Sequence, residues 1–188
     1  HTVNTLKQYI EEAKKRIDDE LAFAKTIQLS AIPNVFPAFP DKKEFDIFAS
    51  MMTAKEVGGD FYDYYIIDKE HLAFIIADVS GKGIPAAMFM MESKVMFKNL
   101  AKTLISPEEV VMRANDGLAQ NNDANMFVTA WFGILNFKTG HVRYVNGGHN
   151  NPLIYRKDGT YEYIKQKRNL VLAAMEGMKY DLQEFDLK

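Results

Sequence analysis

Along the first thirty residues, apolar positions recur at alternating steps of three and four. Leu6, Ile10, Ala13, Ile17, Ala24 and Ile27 carry the stripe, and charged residues such as Glu11, Glu12, Lys14, Lys15, Asp18 and Asp19 fill the other faces. That period predicts a helix over residues 3–29. The stripe is narrow, as in a two-helix seam, and Glu20 interrupts it. Two readings stay open: an amphipathic helix packed on its own domain, or a dimerising helix that relays a signal. The chain then changes character. Three prolines lie between Pro33 and Pro40, which no helix tolerates. Residues 31–44 are therefore expected to form a linker, or an extended strap over the next domain.

From Phe45 onward the pattern becomes that of strands. FDIFASMMTA reads as a first strand, FYDYYII as a second and HLAFIIA as a third, with EVGGD as a turn between the first two. Pro85 suits the first turn of a helix over about 86–104, in which Met88, Met91, Val95, Phe97 and Leu100 are expected to face the core. Ser106 is expected to cap the next helix, PEEVVMRANDGLAQ. MFVTAWFGILNF reads as a buried strand that turns at Lys138-Thr139-Gly140 into HVRYVNGG. NPLIYRK and GTYEYIK give a further hairpin, with Asp158-Gly159 suited to a type I′ turn. Strands arriving in hairpins and helices in a block predict an α+β class with mainly antiparallel sheets. The expected division is a regulatory or dimerising helix over 1–30, a proline-containing linker over 31–44 and one domain over 45–188.

Composition narrows the functional classes. A length of 188 residues fits one domain with a helical extension. The net charge of −2, with basic residues scattered, argues against a nucleic-acid partner. The chain lacks cysteine, which excludes disulfides, thiolate zinc sites and a cysteine nucleophile; a reducing, cytoplasmic setting is expected. No apolar run approaches the roughly 20 residues of a bilayer span, so direct membrane insertion is not expected. The chain opens on His1 rather than methionine, and a fragment of a longer protein is expected.

Two aspartates carry the candidate chemistry. Asp60 and Asp78 each stand where an apolar strand meets a glycine-rich turn, in EVGGD and DVSGKG. With the intervening turn centred between Lys69 and Glu70, paired positions sum to about 139, which sets Asp60 opposite Val79 with Asp78 as neighbour. Such neighbours lie within roughly 4.5–8 Å. Carboxylates that close repel unless one is protonated or a cation joins them, and Mg²⁺ or Mn²⁺ favours such all-oxygen surroundings. A metal edge at one end of the hairpin is thus expected. Against it, an aspartate before glycine commonly just shapes a turn or caps a helix. Asp63 should fall on the opposite face, behind the site or facing solvent. His149, in NGGHNN, reads as a structural loop histidine, with a general acid or phosphate contact as the other reading. Lys82 reads as a solvated lysine rather than a phosphate contact. Ser80 sits in no nucleophile elbow. Asn115-Asp116 and Asn121-Asn122-Asp123 look like helix-end and loop chemistry.

EVGGDFYDYY, IIADVSGKGIPAAMFM and MFVTAWFGILNFKTGHVRYVNGGHNNPLIY together resemble the metal-dependent serine/threonine phosphatases of the PPM (type 2C-like) superfamily, in their SpoIIE/RsbU-like bacterial branch. ELAFAKTIQLSAIPNVFP is similar to the helix and strap preceding that domain. The resemblance implies two packed, mainly antiparallel sheets flanked by helices, with two Mn²⁺ or Mg²⁺ ions between the sheets. Those ions hold the water that attacks phosphoserine or phosphothreonine. It assigns metal ligation to Asp60, Asp78 and the backbone carbonyl of Val79. Family members continue with a GD-x-L-x-x-x-TDG-like segment and a later aspartate, both ligands. This chain stops at FDLK, and Asp181 and Asp186 do not match that segment. A C-terminally truncated domain with impaired activity is therefore expected.

The leading expectation is a metal-dependent phosphoprotein phosphatase acting on a phosphorylated regulatory protein of the anti-anti-sigma-factor type. A homodimer through the N-terminal helix and an upstream sensor domain accompany it. The rival readings are a non-catalytic interaction or dimerisation module that keeps the fold, and a metal-dependent hydrolase of a small phosphate ester.

Overall fold

A computed structural model describes residues 2–53, 55–103, 106–165, 167 and 169–187. Ala54 and Leu104, the expected ends of the first strand and second helix, lie outside these. Helix α1 spans Thr2–Ala31, followed by β1 (Phe61–Ile66), β2 (His71–Val79), α2 (Ile84–Ala101), α3 (Pro107–Ala119), β3 (Val128–Asn136), β4 (His141–Gly147), β5 (Leu153–Tyr155), β6 (Tyr161–Tyr163) and β7 (Gln183–Asp186). One antiparallel sheet has the order β1-β2-β3-β4-β7, and β5-β6 forms a second, two-stranded one. The α+β class with antiparallel sheets and flanking helices holds.

Each face of the large sheet has its own apolar cluster. Phe61, Ile75, Val79 and Phe132 pack with Met90 and Phe97 of α2 and Val110, Val111 and Leu118 of α3. Pro107 opens α3 and the Ser106 hydroxyl accepts the Glu109 N–H at 3.4 Å, so the expected cap is present. On the other face Leu72, Trp131, Leu135 and Tyr144 pack with Phe39 and Phe45 from the segment before the sheet. Trp131 and Tyr144 stack at 4.8 Å, and Phe39 meets Tyr64 edge-on at 5.8 Å. Within the expected linker or strap over 31–44, Ala31 ends α1 and Phe39 packs on the sheet.

Several expectations are corrected. Residues 45–53 form no strand. Their apolar alternation is used in side-chain packing, with Phe45 against Phe137 and Phe48 against Phe36, rather than in a backbone ladder. Strand β7 carries no clear sequence signal because only four residues pair, on the edge of β4. Met88 and Val95 are 69% and 53% exposed, because α2 turns Ala86, Met90, Lys94, Phe97 and Ala101 toward the sheet instead. The β5–β6 connection is not type I′. Gly159 alone has positive φ (88°), its N–H donates to the Arg156 carbonyl, and Arg156 N–H donates to the Thr160 carbonyl. That is a longer loop with the glycine at its left-handed position.

Asp63 does lie across the sheet from Asp60's side, but it does not face solvent. It is buried with Lys94 of α2, whose Nζ reaches its Oδ2 at 2.6 Å. A buried ion pair tolerates loss of both partners better than loss of one. Lys94→Met should therefore destabilise the fold by about 3–5 kcal/mol in urea unfolding, and Lys94→Met with Asp63→Leu should recover most of it. Equal losses in the single and double variants would show that the pair does not act as a unit.

Candidate metal centre

The site grows from the turn joining β1 and β2. Asp68 Oδ1 accepts the N–H groups of Glu70 and His71 at 2.8 and 2.9 Å, and Ile67 N–H donates to the His71 carbonyl. This three-residue turn centres the hairpin on Lys69, and Phe61 pairs with Ala77. The next pair outward is Asp60 with Asp78. The expected register was therefore one residue off. In a sheet that difference decides the face, since directly opposed residues share a side and a slip by one sends them to opposite sides.

The two carboxylates lie within hydrogen-bonding reach of each other. Partial desolvation, the contact with Asp60 and Asp60's charge push the Asp78 carboxyl up to about 6. Gly59 allows this close approach. A Cβ there would lie 2.9 Å from the Val79 carbonyl oxygen and 3.3 Å from the Ala86 Cβ. Val79 itself is buried, and its carbonyl stands against the backbone immediately before Asp60. The loop after it turns at Gly81 and Gly83, with φ of 84° and 75°. Ser80 is committed to structure: its N–H donates to the Phe127 carbonyl and its Oγ accepts the Phe127 N–H. Lys82 is exposed in that loop.

Two further side chains join from β3 and the end of β4. Asp78 pairs with Thr129 across the ladder, and Thr129 Oγ1 lies 2.9 Å from His149 Nδ1. The His149 turn is held by buried Asn146, which accepts His149 N–H at 2.7 Å and donates to its carbonyl at 2.9 Å. Burial lowers the His149 pKa, while the nearby Asp60 charge works in the opposite direction. His149 is thus built into the site's surroundings, and its NGGH setting was the signal for it. Thr129 had no sequence signal of its own; only the register reveals it. Asn115 is a buried structural hub that accepts from Ala173 N–H and Tyr180 hydroxyl and donates to the Met175 carbonyl.

A hard divalent ion suits this arrangement chemically, because a cation relieves the Asp60–Asp78 repulsion and the pair offers it carboxylate oxygens. Among the described residues, no three histidine, aspartate or glutamate side chains form a metal-holding group. Asp60 and Asp78 are the carboxylates that could hold such an ion, and the Val79 carbonyl lies against neighbouring Gly59.

Residues 68–188 match the family Stage II sporulation protein E (SpoIIE). The chain belongs to the SpoIIE family. This is the SpoIIE/RsbU-like branch of the PPM-type phosphatases. The SpoIIE-family chain is 33% identical over 180 residues to the phosphoserine phosphatase RsbU of Bacillus subtilis, covering 95% of its own length and 52% of that relative. It thus spans about half the length of that protein. The PP2C domain of SiaA from Pseudomonas aeruginosa superposes with a TM-score of 0.77 at 17% identity, over 94% of this chain and 69% of that one. RsbX, solved in complex with magnesium, superposes with a TM-score of 0.58 at 20% identity, over 72% of this chain and 63% of that one. At these identities the likeness is one of fold, and the fold of this SpoIIE-family chain is PP2C-like.

The carboxylate pair gives a pH signature. Folding raises Asp78 from 3.8 to about 6, so the folded state holds that proton more tightly than the unfolded chain. The resulting stabilisation is complete below about pH 4 and is lost as pH rises through 6. Asp60→Asn removes the opposing charge. With solvent screening this is worth about 1 kcal/mol. Metal-free D60N should melt roughly 2–4 °C above the unsubstituted protein at pH 7.5 and level with it at pH 4, by circular dichroism. The same difference at both pH values would show that the two carboxylates are not coupled.

Proposed function

We propose that this chain is the catalytic domain of a cytoplasmic protein phosphatase that removes phosphate from serine on a regulatory protein of the anti-anti-sigma-factor type. The observation that carries the reading is the pair Asp60–Asp78, held on one face at one end of the sheet with Asp78 pushed up to about 6. The relative RsbU, named a phosphoserine phosphatase, supports the reaction class. Magnesium in the RsbX structure supports a divalent ion, Mg²⁺ or Mn²⁺.

In this reading Asp60, Asp78 and the Val79 carbonyl hold the ion. When bound, it supplies an acidified water and offsets charge on the phosphoryl oxygens. The residues themselves do the positioning. Asn146 fixes the loop carrying His149, and Thr129 engages its Nδ1, leaving Nε2 as the ring nitrogen for a phosphoryl or leaving oxygen. A cavity of about 610 Å³ on the same face is lined by Tyr62, Tyr64, Phe74, Ile76 and Trp131, together with His149. No helix among the described residues is long and apolar enough to cross a membrane.

The reading extends to α1 as a separate dimerising element that would carry the signal of an upstream sensor. Leu6, Ile10 and Ile17 are all more than half exposed, at the spacing of a two-helix seam. A second copy of α1 is the occupant such a self-similar stripe fits.

Three measurements check these readings. Calorimetric titration with Mn²⁺ should show weak, roughly millimolar binding that disappears in Asp60→Asn and in Asp78→Asn. Mn²⁺-dependent release of phosphate from p-nitrophenyl phosphate and from a phosphoserine protein should be slow and should vanish with either substitution. Turnover that survives both substitutions would overturn the assignment, and binding without turnover would favour an interaction module. By light scattering, the chain should have the molar mass of a dimer, and the chain lacking residues 1–20 that of a monomer. Equal masses per chain in both would remove the seam from the reading.

A further inference from the structure

The loop from α3 into β3 reaches the sheet at the end that carries Asp78, because Val128 pairs with Val79 and Thr129 with Asp78. Just before that pairing, two neighbouring residues have both of their backbone polar groups engaged. Asn122 Oδ1 accepts the Met126 N–H at 2.9 Å, and its Nδ2 donates to the Met126 carbonyl at 2.6 Å. The Phe127 N–H donates to Ser80 Oγ at 2.9 Å, and the Phe127 carbonyl accepts the Ser80 N–H at 2.8 Å. In an antiparallel ladder the Ser80 carbonyl would take the Phe127 N–H. Its hydroxyl does so instead, which adds one rung beyond Val79 while the backbone turns away at Gly81, with φ of 84°.

Residues 172 and 173 hold the other side of the same segment. Leu172 N–H donates to the Val128 carbonyl at 2.8 Å, and Val128 N–H donates back to the Leu172 carbonyl at 3.0 Å. Ala173 follows, 3% exposed and with φ of 67°, a left-handed conformation that its Cβ makes unfavourable. Such a conformation persists only where its surroundings impose it. Two asparagines do so here: Asn115 Oδ1 accepts the Ala173 N–H at 3.0 Å, and Asn122 Nδ2 donates to the Ala173 carbonyl at 3.1 Å. One side-chain amide therefore grips Met126 and Ala173 together. Without it, both carbonyls would lose this donor in a partly buried place, which is costly.

We propose that Asn122 is a positioning residue for the corner Asp78-Val79-Ser80, acting through Met126, Phe127 and the Ser80 rung. The metal-binding consequence rests on the phosphatase reading; the mechanical one does not. Loss of the Asn122 amide frees residues 126 and 127, and Ser80 loses a fixed partner. Val79 and Asp78, one and two residues back along the chain, then spread over more positions. A cation shared by Asp60 and Asp78 is held less firmly as a result. The far end of the same ladder, where Ala73 pairs with Ile134, keeps its order.

The test compares the unsubstituted chain with Asn122→Leu, which keeps the bulk and removes every hydrogen bond of the amide. By NMR, exchange of the Ser80 amide should accelerate about tenfold, and its order parameter should fall from about 0.85 toward 0.6. The Ala73 and Ile134 amides should be unchanged. Titrated calorimetrically with Mn²⁺, N122L should bind about fivefold more weakly. Should N122L fail to fold, Asn122→Asp decides by the same measurements, since it keeps an acceptor for the Met126 N–H and loses the donor to both carbonyls. An unchanged Ser80 order parameter overturns the proposal. So does a loosened Ser80 with unaltered Mn²⁺ affinity, which would make Asn122 a lock of the fold alone. If the unsubstituted chain binds no ion, the phosphatase reading falls, and the Ser80 order parameter by itself decides for or against the positioning role.

Discussion

The constraint on which the site depends is the register of one hairpin. A three-residue turn, tied by the Asp68 side chain to two backbone amides, pairs Phe61 with Ala77. That pairing brings Asp60 and Asp78 to the same side of the sheet. A turn with one residue more or fewer would send them to opposite sides, and each would be an ordinary solvated aspartate. In the register found here the two charges oppose each other at an exposed end of the sheet. The arrangement is electrostatically unfavourable in the metal-free chain, and the fold sustains it by burying the rest of the hairpin.

That burial is asymmetric, and the asymmetry keeps the site accessible. On the helix side, α2 and α3 close over Phe61, Ile75 and Val79, and even the charged Asp63 is enclosed once Lys94 meets it. On the other side, an aromatic strap covers Tyr64 and Phe137 but leaves the strand ends bearing Asp60, Asp78 and Thr129 uncovered. Strand β3 then supplies Thr129 by simple pairing with Asp78, and the turn after β4 supplies His149. Asp78 and Thr129 lie in one continuous ladder, and Asp60 and His149 flank it. The rigidity of that ladder positions them.

The N-terminal helix is different in kind. Most of it stands exposed, yet its last turns meet the segment that must be placed most accurately. Stiff helices carry displacement along their length with little loss, whereas a proline-rich coil would absorb it. The helix's buried Gln28 side chain pairs with both polar groups of Gly58, two residues before Asp60.

Much of this is legible in the sequence. The helices, the hairpins, the Ser106 cap and the two aspartates in glycine-rich turns follow from period, propensity and turn chemistry, all of which are local. Alternation also placed Asp63 opposite Asp60. Local pattern does not say which of two faces will be covered, or by what. So the burial of Asp63 against Lys94, the exposure of Met88 and Val95, and the use of residues 45–53 as packing rather than a strand were decided only by assembly. The same holds for His149 and Thr129, which lie 20 residues apart and meet at 2.9 Å because β3 and β4 run antiparallel. It holds above all for Gln28 and Gly58, 30 residues apart. The sequence alone determined which residues could carry the chemistry. Tertiary structure decided which of them meet, because a shared face and a shared site are properties of register and packing, and these exist only once distant segments have paired.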